Sequence, residues 1–188
     1  MGQVPAAGYR SGMTTNLTPE PDTKDWTWVL AEPCPECGFI AADVEGPSIA
    51  GTVRELAPRW ASALAREDAR VRPAPTTWST LEYGAHSRDV LRVFDGRLEL
   101  LLTQDDPLFE NWDQDATALA DRYDLQDPAV VSTELAAAAV VSAARWDTVR
   151  SDQWDRAGTR SNGSQFTVLT LGQYFLHDLV HHLHDVGA

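Results

Sequence analysis

Residues 164–186 read SQFTVLTLGQYFLHDLVHHLHDV, and this stretch decides how the rest of the chain is interpreted. Apolar side chains recur in it at every third or fourth position, at Leu171, Phe175, Leu179, Leu183 and Val186. Because an α-helix turns by about 100° per residue, these side chains lie along one face of a single helix. The sequence therefore predicts an amphipathic helix from Ser164 or Phe166 to Val186 that packs this face against other elements.

Three earlier stretches show the same periodicity, at residues 47–68, 79–104 and 128–149. The second of them begins with Ser79 and Glu82 in the spacing of a capping box. The long connection before the third, residues 105–126, includes room for a short helix. Strand signals are weak, and residues 154–163 have the polar, glycine-containing composition of a loop. Four amphipathic helices predict an all-α four-helix bundle of about 20-residue helices with one long crossover connection.

The chain has 188 residues, a length that suits one domain. Residues 1–24 are rich in Gly, Pro, Thr and Ser, and we interpret them as a flexible leader before a single domain at 25–188. The segment Trp26–Ile40 contains prolines that forbid a long helix, and it is expected to pack as an extended arm or loop.

Charge and composition exclude several classes of function. The formal net charge is −13, and such a negative field repels the phosphate backbone of nucleic acids. No segment has the roughly 18–20 unbroken apolar residues of a membrane span. The N-terminus lacks the apolar core of a secretory signal, so the expected compartment is the cytoplasm. The oligomeric state is left open, with a homodimer as one option.

Four of the five histidines lie in the last predicted helix. His177, His181 and His184 form a stripe on it, whereas His182 is expected to face a neighbouring helix or solvent. An H-x-x-x-H pair offers two metal ligands without backbone strain, and His86 on the second helix is the remaining histidine. The spacing predicts one divalent ion held by His86, His177 and His181. The alternative is a helix end that is rich in histidine by chance.

Two runs carry a resemblance to a known family: WSTLEYGAHSRDV at residues 78–90 and YFLHDLVHHLHDV at 174–186. They resemble the second-helix and fourth-helix motifs of the DinB/YfiT-like superfamily, and the likeness extends from about Gly46 to the end. The resemblance implies a four-helix bundle with a divalent metal, zinc or nickel, and its ligands carry over to His86, His177 and His181. Some relatives have Glu where this chain has His177, so the metal site is implied more directly than any one reaction.

The same resemblance implies a function. Characterised members include thiol-dependent transferases and a maleylpyruvate isomerase that uses mycothiol. We therefore expect a metal-dependent transferase that joins a low-molecular-weight, mycothiol-like thiol to a small electrophile. No Ser-His-Asp or reactive-Cys signature competes with this interpretation. A non-catalytic metal-binding bundle that acts as a structural or protein-interaction module is the alternative. Metal-dependent hydrolysis ranks lower, because the chain has no HExxH glutamate.

The motif Cys34-Pro35-Glu36-Cys37-Gly38 looks like half of a zinc knuckle. A closed zinc site needs four ligands, and no second cysteine pair exists. The remaining options are a structural turn with two free thiols, a local redox pair, or a lid near the metal. The sequence favours the structural turn, and it predicts that both cysteines are dispensable for metal binding.

Other polar and aromatic residues admit a functional and a structural interpretation. Asp185 follows His181 by four residues and is the better candidate, ahead of Asp178, to orient a ligand imidazole. His184 is favoured as an exposed helix-end residue. Two tryptophans, Trp78 and Trp112, are expected either to wall a pocket or to pack as satellite core. Three arginines are candidates to bind a substrate carboxylate, or are simply solvated: Arg88, Arg92 and Arg145.

Overall fold

The computed structural model describes residues 19, 21 and 23–188. Its helices are α1 (Ile49–Leu64), α2 (Thr80–Thr103), α3 (Gln114–Ala120), α4 (Pro128–Trp146) and α5 (Val168–Asp185). The four long ones, α1, α2, α4 and α5, are the four helices that the sequence predicts. Nearly all of the predicted leader, residues 1–24, lies outside the described residues.

Local sequence explains where the long helices start. At α2, the Ser79 hydroxyl accepts from the Glu82 amide at 3.3 Å, and the Glu82 carboxylate accepts from the Ser79 amide at 2.8 Å. At α4, the Asp127 carboxylate accepts from the amides of Ala129 and Val130. These bonds satisfy amides that have no partner inside the helix, which stabilises each start by about 1 kcal/mol.

The apolar faces of the four long helices meet in one core, so the all-α four-helix bundle is confirmed. The helix α5 contributes a continuous row of side chains with almost no exposed surface: Val168, Leu171, Phe175, Leu176, Leu179 and Leu183. Trp60 of α1 and Leu98 of α2 are equally buried in this core. Burial of such side chains, at about 1.5–3 kcal/mol each, is the main stabilising contribution to the bundle.

A small sheet at one end of the bundle was not predicted. Its strands are β1 (Leu108–Phe109), β2 (Ala157–Arg160) and β3 (Gln165–Thr167), with β2 parallel to β1 and antiparallel to β3. The interpretation of residues 154–163 as a loop is therefore wrong for β2, and α5 begins after the strand β3. These strands are too short to show alternation, and their stability depends on pairing with a distant segment.

The segment before α1 packs against α5 rather than extending away from it. It opens with a 3₁₀ turn at Trp26–Leu30, in which Val29 is completely buried. A tight turn follows, in which the Gly38 amide donates to the Cys34 carbonyl at 2.9 Å, and Gly38 has a φ of +74°. That left-handed conformation explains why a glycine ends the cysteine motif.

Among the described residues, α4 is the one helix that is long and apolar enough to cross a membrane, judged by length and composition alone. One of its faces packs in the bundle core, with Val131, Leu135 and Trp146 buried. A core helix meets the same criterion as a membrane span, so this finding is weak.

Two glycines in helices make a matched test of the packing. A Cβ at Gly172 on α5 would overlap Ile49 and lie 2.9 Å from the Trp146 ring, whereas a Cβ at Gly96 on α2 would meet no atom within 4 Å. We expect Gly172→Ala to destabilise the protein by about 1–3 kcal/mol through overpacking. Gly96→Ala is expected to stabilise it by up to about 1 kcal/mol, because alanine has the higher helix propensity. Urea unfolding of both variants measures the difference, and equal stability of Gly172→Ala and wild type would contradict the described α1–α5 contact.

Candidate metal centre

Two groups of metal-ligating side chains lie side by side on α5. Cys34, Cys37, His177 and His181 form one group, which we call the Cys/His cluster. The second group, the His/Asp cluster, consists of His86, Asp178 and His182. Within each group the ligand atoms lie within 4.8 Å of one another.

The helical repeat separates the two clusters. Residues four apart on α5 share a face, so His177 pairs with His181 and Asp178 pairs with His182. Because adjacent residues point about 100° apart, the two pairs face different neighbours. His177 and His181 face the segment before α1, where the rings of Trp26 and Phe39 contact them. His182 faces α2, where its ring lies 4.9 Å from that of His86.

In the Cys/His cluster, the Cys34 sulfur lies 3.7 Å from Nδ1 of His181. Cys34, His177 and His181 are buried, and Cys37 is half-buried. Nε2 of His177 is buried and has no hydrogen-bond partner among the described residues. The Trp26 ring covers both imidazoles, with centroids 5.5 Å from His177 and 4.9 Å from His181.

In the His/Asp cluster, Nε2 of His86 lies 3.2 Å from Oδ1 of Asp178, and Nε2 of His182 lies 3.7 Å from the same oxygen. His86 has no exposed surface, and its ring stacks on Trp112 at 5.3 Å with an interplanar angle of 3°. On the other side of His182, its Nδ1 is 2.9 Å from the Asp185 carboxylate. Both imidazoles are therefore held in fixed orientations around the Asp178 carboxylate.

Burial shifts the pKa of several of these groups. Burial and then the positive charge of His181 lower the pKa of His177 to about 4, and burial also lowers the pKa of His181. For Asp178, burial acts to raise the pKa, but the charge and hydrogen bond of His86 outweigh it and bring the pKa to about 2. Burial raises the pKa of the Cys37 thiol to about 11. At neutral pH the metal-free site therefore has a neutral His177 and an ionised Asp178, whereas Cys37 is a protonated thiol.

Cavities adjoin the His/Asp cluster. A cavity of about 40 Å³ is lined by Asp178 and His182, by His177 and His181 of the Cys/His cluster, and by Trp26 and Tyr174. His182 also lines a neighbouring groove of about 170 Å³, beside Trp78 and Tyr83. The first has room for an ion or a few waters, and the second for part of a small molecule. The donor set fits a divalent ion, because two imidazoles and one carboxylate converge next to accessible space.

The structure distributes the predicted ligands His86, His177 and His181 over both clusters. His86 lies with Asp178 and His182, while His177 and His181 lie with the cysteines. Sequence reasoning passed over two signals. Asp178 and His182 have the same four-residue spacing as His177 and His181, and C-x-x-C together with H-x-x-x-H is a donor set typical of zinc. The three-histidine site itself stays a prediction.

The remaining candidates have structural partners. Asp178 contacts His86, and Asp185 hydrogen-bonds His182 and lies 3.8 Å from His181. His184 is exposed at the helix end. The three candidate arginines are held by carboxylates of the same chain: Arg88 and Arg92 by Asp89 and Glu134, and Arg145 by Asp95.

Two other arginines, which sequence reasoning did not single out, lie close to the site. Arg97 and Arg160 are both buried, and among residues 23–188 neither has a carboxylate within ion-pair distance. Arg97 donates to the Glu110 carbonyl, and Arg160 donates to Asn162 and Ser164. Burial and then the charge of Arg160 lower the pKa of Arg97 to about 10. Arg160 lines a cavity of about 710 Å³ that also includes Trp26, Trp112 and Tyr174.

Comparisons with known proteins agree with this architecture. The model of a family described as the DinB superfamily matches residues 50–186. No curated protein matches the sequence. Among solved structures, YfiT from Bacillus subtilis is similar, with a TM-score of 0.66 and 17% identity over 76% of this chain and 85% of that one. YfiT is described as "a probable metal-dependent hydrolase with an unusual four-helix bundle topology". At this identity the likeness shows the fold.

The lowered pKa of His177 predicts how the metal-free protein responds to acid. As the pH falls from about 6.5 to about 4, the unfolded chain binds a proton at this imidazole that the folded protein does not bind. The free energy of unfolding should therefore decrease over this window, by about 2 kcal/mol, and His177→Gln should lose most of that decrease. Urea unfolding in a chelator at several pH values measures the effect. His184→Gln, a change at the exposed helix end, serves as the control, and an unchanged pH dependence in His177→Gln would refute the prediction.

Proposed function

This chain belongs to the DinB superfamily, and from that premise we propose that it is a divalent-metal-dependent transferase that joins a low-molecular-weight thiol of the mycothiol class to a small electrophile. The observation that carries the proposal is the His/Asp cluster. Its three ligands come from two helices, two of them, Asp178 and His182, line a cavity, and a three-ligand set leaves coordination positions open for a reactant. Open positions are typical of catalytic metal sites, whereas structural sites are closed.

The proposed ligands of the catalytic ion are His86, Asp178 and His182. This set keeps the second-helix histidine of the sequence prediction and replaces His177 and His181 by their neighbours on α5. The distances support the replacement, because His86 lies 3.2 Å from Asp178. Asp178 and His182 have the same four-residue spacing as His177 and His181, with a carboxylate at the first position of the pair.

The surrounding residues orient these ligands. Asp185 accepts a hydrogen bond from Nδ1 of His182, so the other ring nitrogen faces Asp178. Stacking on Trp112 fixes the ring of His86. Asp178 stays ionised because its pKa is lowered, and its charge partly neutralises a cation at this position. A bound divalent ion would lower the pKa of a thiol or a water molecule at an open coordination position.

The reaction needs no side-chain nucleophile from the protein. The thiol sulfur forms a bond to the electrophilic carbon while the bond from that carbon to the leaving group breaks, and the thiol proton departs with the leaving group as its acid. The protein's own contribution is to hold both reactants together and to exclude water. The aromatic rings of Trp26, Trp112 and Tyr174 line the larger cavity, which shares Trp26 and Tyr174 with the small cavity at Asp178 and His182.

The buried arginines favour an anionic reactant. Arg160 lines the cavity of about 710 Å³, and Arg97 adds a second positive charge behind it. A buried charge without a counter-ion is costly, and a carboxylate on the substrate would relieve that cost. The chain as a whole has a formal net charge of −13, so this locally positive region is where an anion would be attracted.

A second candidate is metal-dependent hydrolysis, which the structural likeness to YfiT favours. It would use the same three ligands, with water in place of the thiol at the open position. The non-catalytic alternative requires that no substrate reach the His/Asp cluster. Thiol consumption would favour the transferase, ester hydrolysis would favour the hydrolase, and neither activity would favour the non-catalytic module.

The proposal predicts loss of metal-dependent thiol transfer when the His/Asp cluster is altered. Purified protein loaded with Zn²⁺ or Ni²⁺ is incubated with mycothiol, bacillithiol, glutathione or cysteine and a panel of small electrophiles, and free thiol is measured over time. His86→Ala, Asp178→Asn and His182→Ala should each lower the rate by at least about 100-fold, because each removes a ligand. His184→Ala on the same helix is the control. Thiol consumption by none of the combinations, or an unchanged rate in His86→Ala, would refute the proposal, and hydrolysis of esters instead would favour the second candidate.

A separate variant tests the anion site. Arg160→Gln should raise KM for a carboxylate-bearing electrophile by about 10-fold or more while kcat changes little, because the lost contact binds ground state and transition state alike. Arg150→Gln is the matched control, since Arg150 is exposed and pairs only with nearby Asp152 in the described structure. Equal KM values for Arg160→Gln and wild type would show that Arg160 serves packing alone.

A further inference from the structure

The proposed function leaves the Cys/His cluster without a role. Its four donors come from two separate parts of the chain, with Cys34 and Cys37 on the turn before α1 and His177 and His181 on α5. The family model begins at residue 50, so the turn with both cysteines lies outside the matched region.

We infer that Cys34, Cys37, His177 and His181 form a second, closed zinc site that fastens the segment Trp26–Ile40 to α5. In a tetrahedral site with Zn–S near 2.3 Å and Zn–N near 2.05 Å, a sulfur and a nitrogen ligand are about 3.6 Å apart. The Cys34 sulfur and Nδ1 of His181 are 3.7 Å apart. All four donors lie within 4.8 Å of one another, so small side-chain shifts would bring them to coordination distance of one ion.

The turn is built to present both sulfurs. The Gly38 amide donates to the Cys34 carbonyl, and the Cys34 amide donates to the Phe39 carbonyl, both at 2.9 Å. These bonds close the backbone around the C-x-x-C motif, and the positive φ of Gly38 lets the chain leave the turn. The two cysteines therefore belong to one rigid loop, and one ion can bind both of them.

One buried nitrogen of the cluster lacks a partner that a metal ion would supply. Nε2 of His177 is buried without a hydrogen-bond partner among the described residues, and leaving such an atom unsatisfied costs about 1–3 kcal/mol. The aromatic rings of Trp26 and Phe39 surround this imidazole and offer it no acceptor. A metal ion bonded to that nitrogen would satisfy it, and the same ion would lie next to the buried Cys34 sulfur, which now contacts Nδ1 of His181.

The donor set selects the ion and the type of site. Two thiolates with two imidazoles are typical of zinc, and four protein ligands fill its tetrahedral shell. This site therefore has no open position, unlike the His/Asp cluster.

The position of the site explains what the zinc would do. His177 and His181 immediately precede Asp178 and His182 on α5, so an ion on the first pair would hold the segment Trp26–Ile40 next to the second pair. The fastened segment carries Trp26, which lines the cavities next to the His/Asp cluster. Leu30 and Phe39 of this segment pack at the edge of the bundle core, whose buried residues all lie outside the segment, so the four helices would stay folded without the ion.

The test uses the full-length protein without a histidine tag, loaded with Zn²⁺ or Co²⁺ and analysed for bound metal. Wild type should retain one zinc that resists dialysis, and its cobalt form should show a sulfur-to-cobalt charge-transfer band. Cys34→Ser with Cys37→Ser should remove both. His86→Ala should keep both, because it alters only the His/Asp cluster. His184→Ala is the control for a general effect of histidine loss on α5.

A second variant distinguishes loss of the zinc site from misfolding of the protein. Cys37→His replaces one ligand by another at the half-buried position, and it should retain zinc while the charge-transfer intensity falls to about half. Hydrogen exchange adds an independent readout. Chelation should remove protection from residues 26–40 and leave the buried amides of α2 and α5 protected.

The inference does not rest on the proposed function, and the outcomes separate the two. Full zinc retention in the double serine variant, or a cobalt spectrum without a sulfur band, would overturn the zinc site and leave thiol transfer at the His/Asp cluster in place. A Cys34–Cys37 disulfide that persists in the metal-free wild type after treatment with a thiol reductant would also overturn it. Loss of activity in His86→Ala with zinc and sulfur band intact is the result expected if both hold.

Discussion

The burial of one face of α5 in the bundle constrains every other side chain on that helix. Its apolar row packs mainly against α1 and α2, and Phe175 reaches Trp146 of α4, so the row has almost no exposed surface. Rotating the helix would expose this row at a cost of about 1.5–3 kcal/mol for each large side chain. The rotation is therefore set, and so is the neighbour that each polar residue on α5 faces. His177 faces the segment before α1, and His182 faces α2.

Two adjacent donor groups follow from this geometry. A helix that presents ligands at two consecutive pairs of positions, each pair four residues apart, builds two sites with different partners. One pair meets a cysteine turn, and soft sulfur donors close that site. The other meets a single histidine, and its three ligands leave coordination positions open to a reactant. The chemistry of each group follows from what packs against it, since both pairs lie on one helix in nearly the same sequence context.

The charge beside the metal-ligand clusters differs in sign from that of the chain as a whole. The chain is strongly acidic, but beside the site it buries two arginines without a carboxylate partner among the described residues. At other arginines, such as Arg88 and Arg145, carboxylates of the same chain satisfy the charge. The contrast identifies the cavity beside Arg160 as the place where an external anion would be stabilised, and it links the metal centre to the substrate class that we propose.

The sequence by itself determined the four long helices, because their apolar spacing and caps are local properties. Ser79 with Glu82, and Asp127 before Pro128, mark helix starts that the structure reproduces. It also determined that His86 and the last helix carry the candidate ligands. Only the tertiary structure decided how those ligands group. By spacing alone, His86 could lie beside His177 and His181 or beside Asp178 and His182. The packing of α5 against α2 places it beside Asp178 and His182. The sheet and the meeting of Cys34 with His181 were likewise decided by contacts between distant segments. Spacing along the chain reports which residues share a helix face, but the rotation of that face toward a partner depends on how the whole core packs.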